Sequence, residues 1–138
     1  MSTFFYAFTL MTLFALNTVA AQKNPQIRTC HQMEGTYFEA KNEVDLFGFC
    51  AFNESVIGTL DLVRYFHDTN NVISIRTYLN NIKNCEPYGR VVTLTTVEGT
   101  ATVFCTFSDA SMIDHKTLTT GIYDKRNERF NFALGVLE

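Results

Sequence analysis

Phe47-Gly48-Phe49-Cys50-Ala51-Phe52-Asn53-Glu54-Ser55 and Thr102-Val103-Phe104-Cys105-Thr106-Phe107-Ser108-Asp109-Ala110 share the pattern F-C-x-F followed by a polar and an acidic residue. In an extended chain, Phe49 and Ala51 (or Phe104 and Thr106) fall on one side, and a cysteine with a second Phe falls on the other. A strand with something to bury on both sides belongs inside a sheet. These two stretches read as the central strands of a β protein.

Outward from the first copy, Gly35 to Glu39 reads as a strand closed by the turn Lys41-Asn42-Glu43, and Leu46 to Asn53 returns beside it. Val56 to Phe66 alternates, with Ile57, Thr59, Asp61, Val63 and Tyr65 on one side. The turn-forming run Asp68-Thr69-Asn70-Asn71 leads into Val72 to Leu79. Around the second copy, Arg90 to Val97 and Thr100 to Ser108 flank Glu98-Gly99, a hairpin signal. His115 to Tyr123 and Arg129 to Leu137 complete the set, and no segment shows a sustained helical stripe with caps. The expectation is all-β: about eight short antiparallel strands in a disulfide-stapled sandwich or small closed barrel.

The cysteines are spaced C-x19-C twice, Cys30 to Cys50 and Cys85 to Cys105, at an offset of 55. At that offset Phe49 falls on Phe104 and Phe52 on Phe107; a three-residue insertion then brings Thr59-Leu60 onto Thr117-Leu118, Tyr65 onto Tyr123 and Leu79 onto Leu137. Two four-strand repeats, 30–84 and 85–138, are one reading; two hairpin pairs alike by chance are the other. An even number of cysteines behind a secretory leader implies two disulfides. Pairing Cys30 with Cys50 and Cys85 with Cys105 requires the chain to fold back near Gly35 and near Pro87 and Gly89, because bridged Cα atoms lie within about 7 Å. Bridges across the halves, Cys30 to Cys85 and Cys50 to Cys105, remain open.

The leader is MSTFFYAFTLMTLFALNTVAA, with an uncharged run from Phe4 to Leu16 and small residues before a cleavage point after Ala21, or alternatively Ala20. Residues 1–21 are expected to be a signal peptide and 22–138 a single secreted domain, with Gln22 to Gln26 a mobile lead-in. No stretch reaches the roughly 20 apolar residues that span a bilayer, so no membrane span is expected after cleavage. The net charge of −3 comes from interspersed acids and bases without runs, which argues against a nucleic-acid surface.

Candidate chemistry is thin. His31, His67 and His115 lie in separate segments, and no C-x2-C or paired-His motif marks a metal site. No G-x-S-x-G nucleophile elbow is present, and Asp109, Asp114 and Asp124 do not fall within one calcium loop. No catalytic, cofactor or metal residue is assigned, and the protein is expected not to be an enzyme. A small secreted hydrolase would need a histidine and a carboxylate in one cleft. Asn53-Glu54-Ser55 is the only N-x-[ST] triplet with a non-proline centre, making Asn53 the glycan acceptor. Nine phenylalanines (Phe38, Phe47, Phe49, Phe52, Phe66, Phe104, Phe107, Phe130 and Phe132) follow the leader, either as core or as the lining of a ligand cavity.

Gly35-Thr36-Tyr37, followed by short antiparallel strands, resembles the G-x-W entry strand of lipocalins and avidins, secreted barrels that hold small ligands. Tyr37 stands where those families carry Trp, and the cysteine pattern is not theirs. The resemblance implies a barrel carrying a small hydrophobic ligand, and that is the alternative reading. The leading one is an extracellular effector, inhibitor or matrix-type protein that binds a protein partner.

Overall fold

Alternation within six strands sorts their side chains onto two faces. The strands are β1 (Thr36–Lys41), β2 (Leu46–Phe52), β3 (Ser55–Gly58), β4 (Arg90–Thr96), β5 (Ala101–Thr106) and β6 (Met112–Asp114). In the computed structural model, which describes residues 24–67 and 71–136, they close into an antiparallel barrel of order β1-β2-β3-β6-β5-β4. The expected signal peptide, its cleavage point, and Asp68, Thr69, Asn70 and Leu137 lie outside the described residues.

The barrel is two three-stranded meanders joined at two narrow seams. β1 pairs with β2, and β4 with β5, over six residue pairs each. By contrast, β1 meets β4 only at Ala40↔Thr96 and Lys41↔Thr95, and β3 meets β6 only at Ile57↔Ile113.

The inner face is a cluster to which every strand contributes, with Ala40, Phe49, Leu94 and Phe104 buried and Phe38, Phe47, Val56, Val92 and Met112 packed around them. The Phe49 and Phe104 rings, one from each F-C-x-F copy, stack with centroids 4.2 Å apart, and Phe38 lies 5.6 Å from Phe49. Eight strands can just enclose a small ligand, and six make a narrower barrel, which these rings fill. The outer face carries Cys50, Phe52, Ile57, Cys105, Phe107 and Ile113 into a second, larger core shared with the helices.

Those helices correct the expected strand count from eight to six. They are α1 (Pro25–Gln32), α2 (Thr59–His67), α3 (Ile73–Leu79), α4 (His115–Thr120) and α5 (Glu128–Ala133), with a 3-10 turn at Lys125–Asn127. Of the expected mobile lead-in, Gln22 and Lys23 lie outside the described residues, and Asn24, Pro25 and Gln26 instead cap and open α1. The Asn24 side chain accepts from the N–H groups of Gln26 and Ile27, and Pro25 opens the first turn, where its missing N–H is harmless. Val56 to Phe66 splits into β3 and α2, in which Leu62 is buried while Leu60 and Phe66 face outward. Val72 to Leu79, also expected as a strand, becomes α3. Val72 offers its first turn no side-chain acceptor, so Asp109 accepts from Ile73 N–H at 2.9 Å and Ser111 Oγ from Ser74 N–H at 3.0 Å. Asp114 caps α4 through Thr117 N–H, and Phe130 of α5 packs 5.8 Å from Phe52 and 4.9 Å from Tyr78.

Both disulfides form within the halves, Cys30–Cys50 and Cys85–Cys105, with Cα atoms 5.6 and 5.7 Å apart. The chain folds back where expected, since Gly35 N–H donates to the Cys30 carbonyl at 2.9 Å and Gly89 N–H to the Cys85 carbonyl at 2.6 Å. Glycine is needed there for room. A Cβ on Gly35 would lie 2.3 Å from Cys50 Sγ, and one on Gly89 would lie 2.7 Å from the Thr106 carbonyl oxygen and 2.8 Å from Cys105 Sγ.

Candidate functional site

β3 stops at Gly58, opposite Phe49, while β2 runs on to Leu46, so the segment Leu46–Gly48 has no strand on that side. The first turns of α2 face this gap. A cleft of about 170 Å³ results, walled by Phe47, Phe49, Met112, Leu46, Leu60 and Ala110, with Gly48, Gly58, Gln26, Asp61 and Arg64 completing the lining. Phe47, Phe49 and Met112 belong to the inner cluster, so the cleft opens onto the barrel's aromatic interior.

Asp61 is the unusual group in it. The side chain is 6% exposed, and its Oδ2 accepts from Met112 N–H of β6 at 2.9 Å. A Cβ on Gly58 would come 2.3 Å from that oxygen, so the carboxyl packs directly on bare backbone. Burial pushes the Asp61 carboxyl up from its ordinary value of 3.8 to about 7; the Met112 N–H opposes the rise, neighbouring Asp109 adds to it and Arg64 resists it. Arg64 stands between the two acids, 3.9 Å from Asp61 and 4.0 Å from Asp109, and donates to the Asp109 backbone carbonyl at 3.3 Å. At Asp109, burial works upward but is outweighed by N–H from Ile73, by the hydroxyl and N–H of Ser111 and by Arg64, which together hold that carboxyl below its ordinary range. Two carboxylates thus share one guanidinium. Once Asp61 ionises, the trio carries one uncompensated negative charge.

The other half supplies a comparison within the same molecule. There Thr117 Oγ1 accepts from Val56 N–H of β3 at 3.1 Å, as Asp61 accepts from Met112 N–H of β6. A neutral hydroxyl performs at one seam the hydrogen-bonding task that a carboxylate performs at the other. These roles fall on Asp61 and Thr117, two positions away from the Thr59–Thr117 correspondence read from the sequence.

No family model, curated protein or solved structure matches this chain. Its chemistry has to be read from its own atoms.

The histidines do not gather. His31 is exposed on α1, His67 ends α2 and His115 begins α4; none makes a hydrogen bond or ion pair to a carboxylate among the described residues. Nor do three or more His, Cys, Asp or Glu residues cluster with metal-binding geometry among those residues. Asp109, Asp114 and Asp124 each cap backbone N–H groups, so each has a structural task. All four cysteines are paired. Asn53 is exposed in a two-residue turn with φ of 59°, while Ser55 of the same triplet is buried and donates to Asn127 Oδ1 at 2.6 Å. Asp61 was legible only as one residue of an alternating run, because Met112, its partner, lies 51 positions away.

Proposed function

We propose that this chain is a secreted, non-enzymatic binding protein that acts through contacts with an extracellular protein. The observation that carries the proposal is the filled barrel. With Phe49 stacked on Phe104 at 4.2 Å and Phe38 beside them, the interior that a lipocalin-like carrier would use is occupied by side chains. The outer surface is what remains for recognition. On the ribbon formed by β4 and β5, Val91 and Val103 lie on neighbouring strands, each 40% exposed, with Tyr88 before the ribbon and Val97 at its tip exposed further. Neighbouring exposed apolar side chains of this kind are a common feature of protein contacts.

Secretion is supported by the leader and by two disulfides, which persist in oxidising compartments. A glycan on Asn53 is compatible with the exposed turn. It would be added before Ser55 becomes buried. The matched succession of strand, strand, strand and helix in the two halves, each with its own bridge, is in keeping with an internal repeat.

Native mass spectrometry of the protein purified gently from its source tests the reading. The expected result is a chain lacking residues 1–21, lighter by the hydrogens of two disulfides, alone or with a protein partner whose binding is weakened by Val91→Glu with Val103→Glu. A reproducible apolar small molecule, released on denaturation and bound equally by a variant with Leu60→Trp in the cleft, would favour carriage inside the barrel and overturn it.

A further inference from the structure

We propose that the cleft between the free edge of β2 and the first turns of α2 binds a small primary amine carrying a ring-sized apolar group, with Asp61 as the counter-ion and Phe47, Phe49 and Met112 as the apolar wall. This does not depend on the protein-contact reading, since the cleft lies apart from Val91 and Val103 on the outer face of β4 and β5.

Three observations converge on this chemistry. The first is the spare oxygen of Asp61. Oδ2 is committed to Met112 N–H, but Oδ1 has no hydrogen-bond partner among the described residues, its nearest cation being Arg64 Nη1 at 3.9 Å, beyond hydrogen-bond distance. Oδ1 is not among the buried polar atoms cut off from a partner, so it keeps access to solvent beside the cleft, where an N–H donor brought by a ligand can pair with it.

The second is charge. The groups facing Asp61 are Arg64 on its own helix and Asp109 on the loop between β5 and β6, and Arg64 is drawn toward Asp109 by that residue's carbonyl and carboxylate. Two acids against one base leave room for one further positive charge. An anion has no such vacancy, and a neutral ligand would leave the charge unmatched.

The third is the mismatch between the halves. Thr117 holds Val56 N–H with a hydroxyl, so holding the seam does not demand an acid at the corresponding position. The ionisable group at Asp61 exceeds the structural need, and it faces a cleft rather than packed core. An aromatic wall beside a single cation acceptor selects an amine with an apolar body over a bare inorganic ion, because the wall offers no oxygen ligands and favours apolar area and cation–π contact.

Phenethylamine is the probe, titrated calorimetrically into the disulfide-intact protein. Saturable one-to-one binding is expected at pH 8, with 2-phenylethanol and ethylamine each at least about tenfold weaker, since one lacks the charge and the other the ring. Because an empty Asp61 holds its proton up to about pH 7, binding releases a proton at lower pH and weakens about tenfold from pH 8 to pH 6. Asp61→Asn keeps an acceptor for Met112 N–H and should lose at least about tenfold in affinity while remaining folded. Leu60→Trp, at an exposed position on the rim, leaves Asp61 intact and should block the cleft by bulk. Undetectable phenethylamine binding in the millimolar range, equal binding of 2-phenylethanol, or binding unchanged in both variants overturns the assignment.

Discussion

Replacing Asp61 by Asn isolates the free energy stored in one buried carboxyl. The amide oxygen of Asn can accept from Met112 N–H as Oδ2 does, so the substitution removes the charge and leaves the seam hydrogen bond. The sign follows from the raised proton affinity of the folded state. Below pH 3.8 the carboxyl is protonated in both folded and unfolded chains and contributes no pH dependence. Between 3.8 and about 7 the unfolded chain has released a proton that the folded chain still holds, so stability falls as pH rises. Above about 7 both states are ionised and the loss is complete. Over these roughly three pH units, at about 1.36 kcal/mol each, the loss is on the order of 4 kcal/mol. The side chain is only 6% exposed, so solvent screening takes little from this figure. Asp114, raised by burial, acts in the same direction as Asp61 but persists in the variant and cancels in the difference; Asp109, which is coupled to Asp61, is held below its ordinary value and so loses its contribution only as pH falls below the range compared. Urea midpoints measured from pH 4 to pH 8 with disulfides intact are the assay. The two proteins should unfold at nearly the same urea concentration at pH 4, and the Asn variant should be more stable by several kcal/mol at pH 8. Parallel curves, or an Asn variant weaker at pH 8, would refute the reasoning.

Gly35→Ala should prevent clean closure of the first disulfide, because the new methyl would lie 2.3 Å from Cys50 Sγ; free-thiol titration after refolding should find unpaired cysteine, whereas Gly99→Ala, with nothing near its added Cβ, should refold fully paired. Removing the second bridge with Cys85→Ser and Cys105→Ser, whose sequence separation is 20, should lower stability by about 3 kcal/mol in urea titrations. Tyr78→Phe deletes a buried hydroxyl that donates to Asn131 Oδ1 and should lose about 1–2 kcal/mol in the same titrations. Asp109→Ala removes the acceptor for Ile73 N–H and should lose about 1–2 kcal/mol, with faster amide exchange at the start of α3 than elsewhere in the helices.

The strands were legible where the information is local, but their closure into a barrel rather than a sandwich was not. β1, β2, β4 and β5 announce themselves by alternation, and the cysteine spacing with Gly35 and Gly89 points to bridges within the halves. The helices were hidden for different reasons. For α1 the signal is present, since Asn24-Pro25 is a cap followed by a residue suited to a first turn, but polar composition and a proline suit a loose end equally well. For α3 no local signal exists, because the groups that cap it stand at Asp109 and Ser111, 36 and 37 positions downstream. For α2 and α4, β-branched and aromatic residues favour strand by propensity, and the helix prevails because Leu62 and Leu118 must both reach the outer core. The candidate site was not legible at all. An aspartate in an alternating run becomes a buried acid only once β3 ends one residue before α2 and Met112 is brought alongside from the other half.

The placement of the two bridges has a consequence for how the molecule tolerates change. Each covalent link joins a helix or loop to the strand beside it in the same half, and none crosses the seams at Ile57↔Ile113 or Ala40↔Thr96. The halves are each bolted internally and held to one another by the seams and by the cores they share, without a covalent link. Substitutions can accumulate in one half without misaligning the sulfurs of the other, provided the contacts between the two are kept. Variation in such a chain is therefore expected to be uneven, wide over the outward ribbons and narrow where one half grips the other, at the seam residues Val56, Ile57, Asp61, Met112, Ile113 and Thr117 and at the contacts Phe49–Phe104, Phe52–Phe130, Ser55–Asn127, Tyr78–Asn131 and Ile73–Asp109.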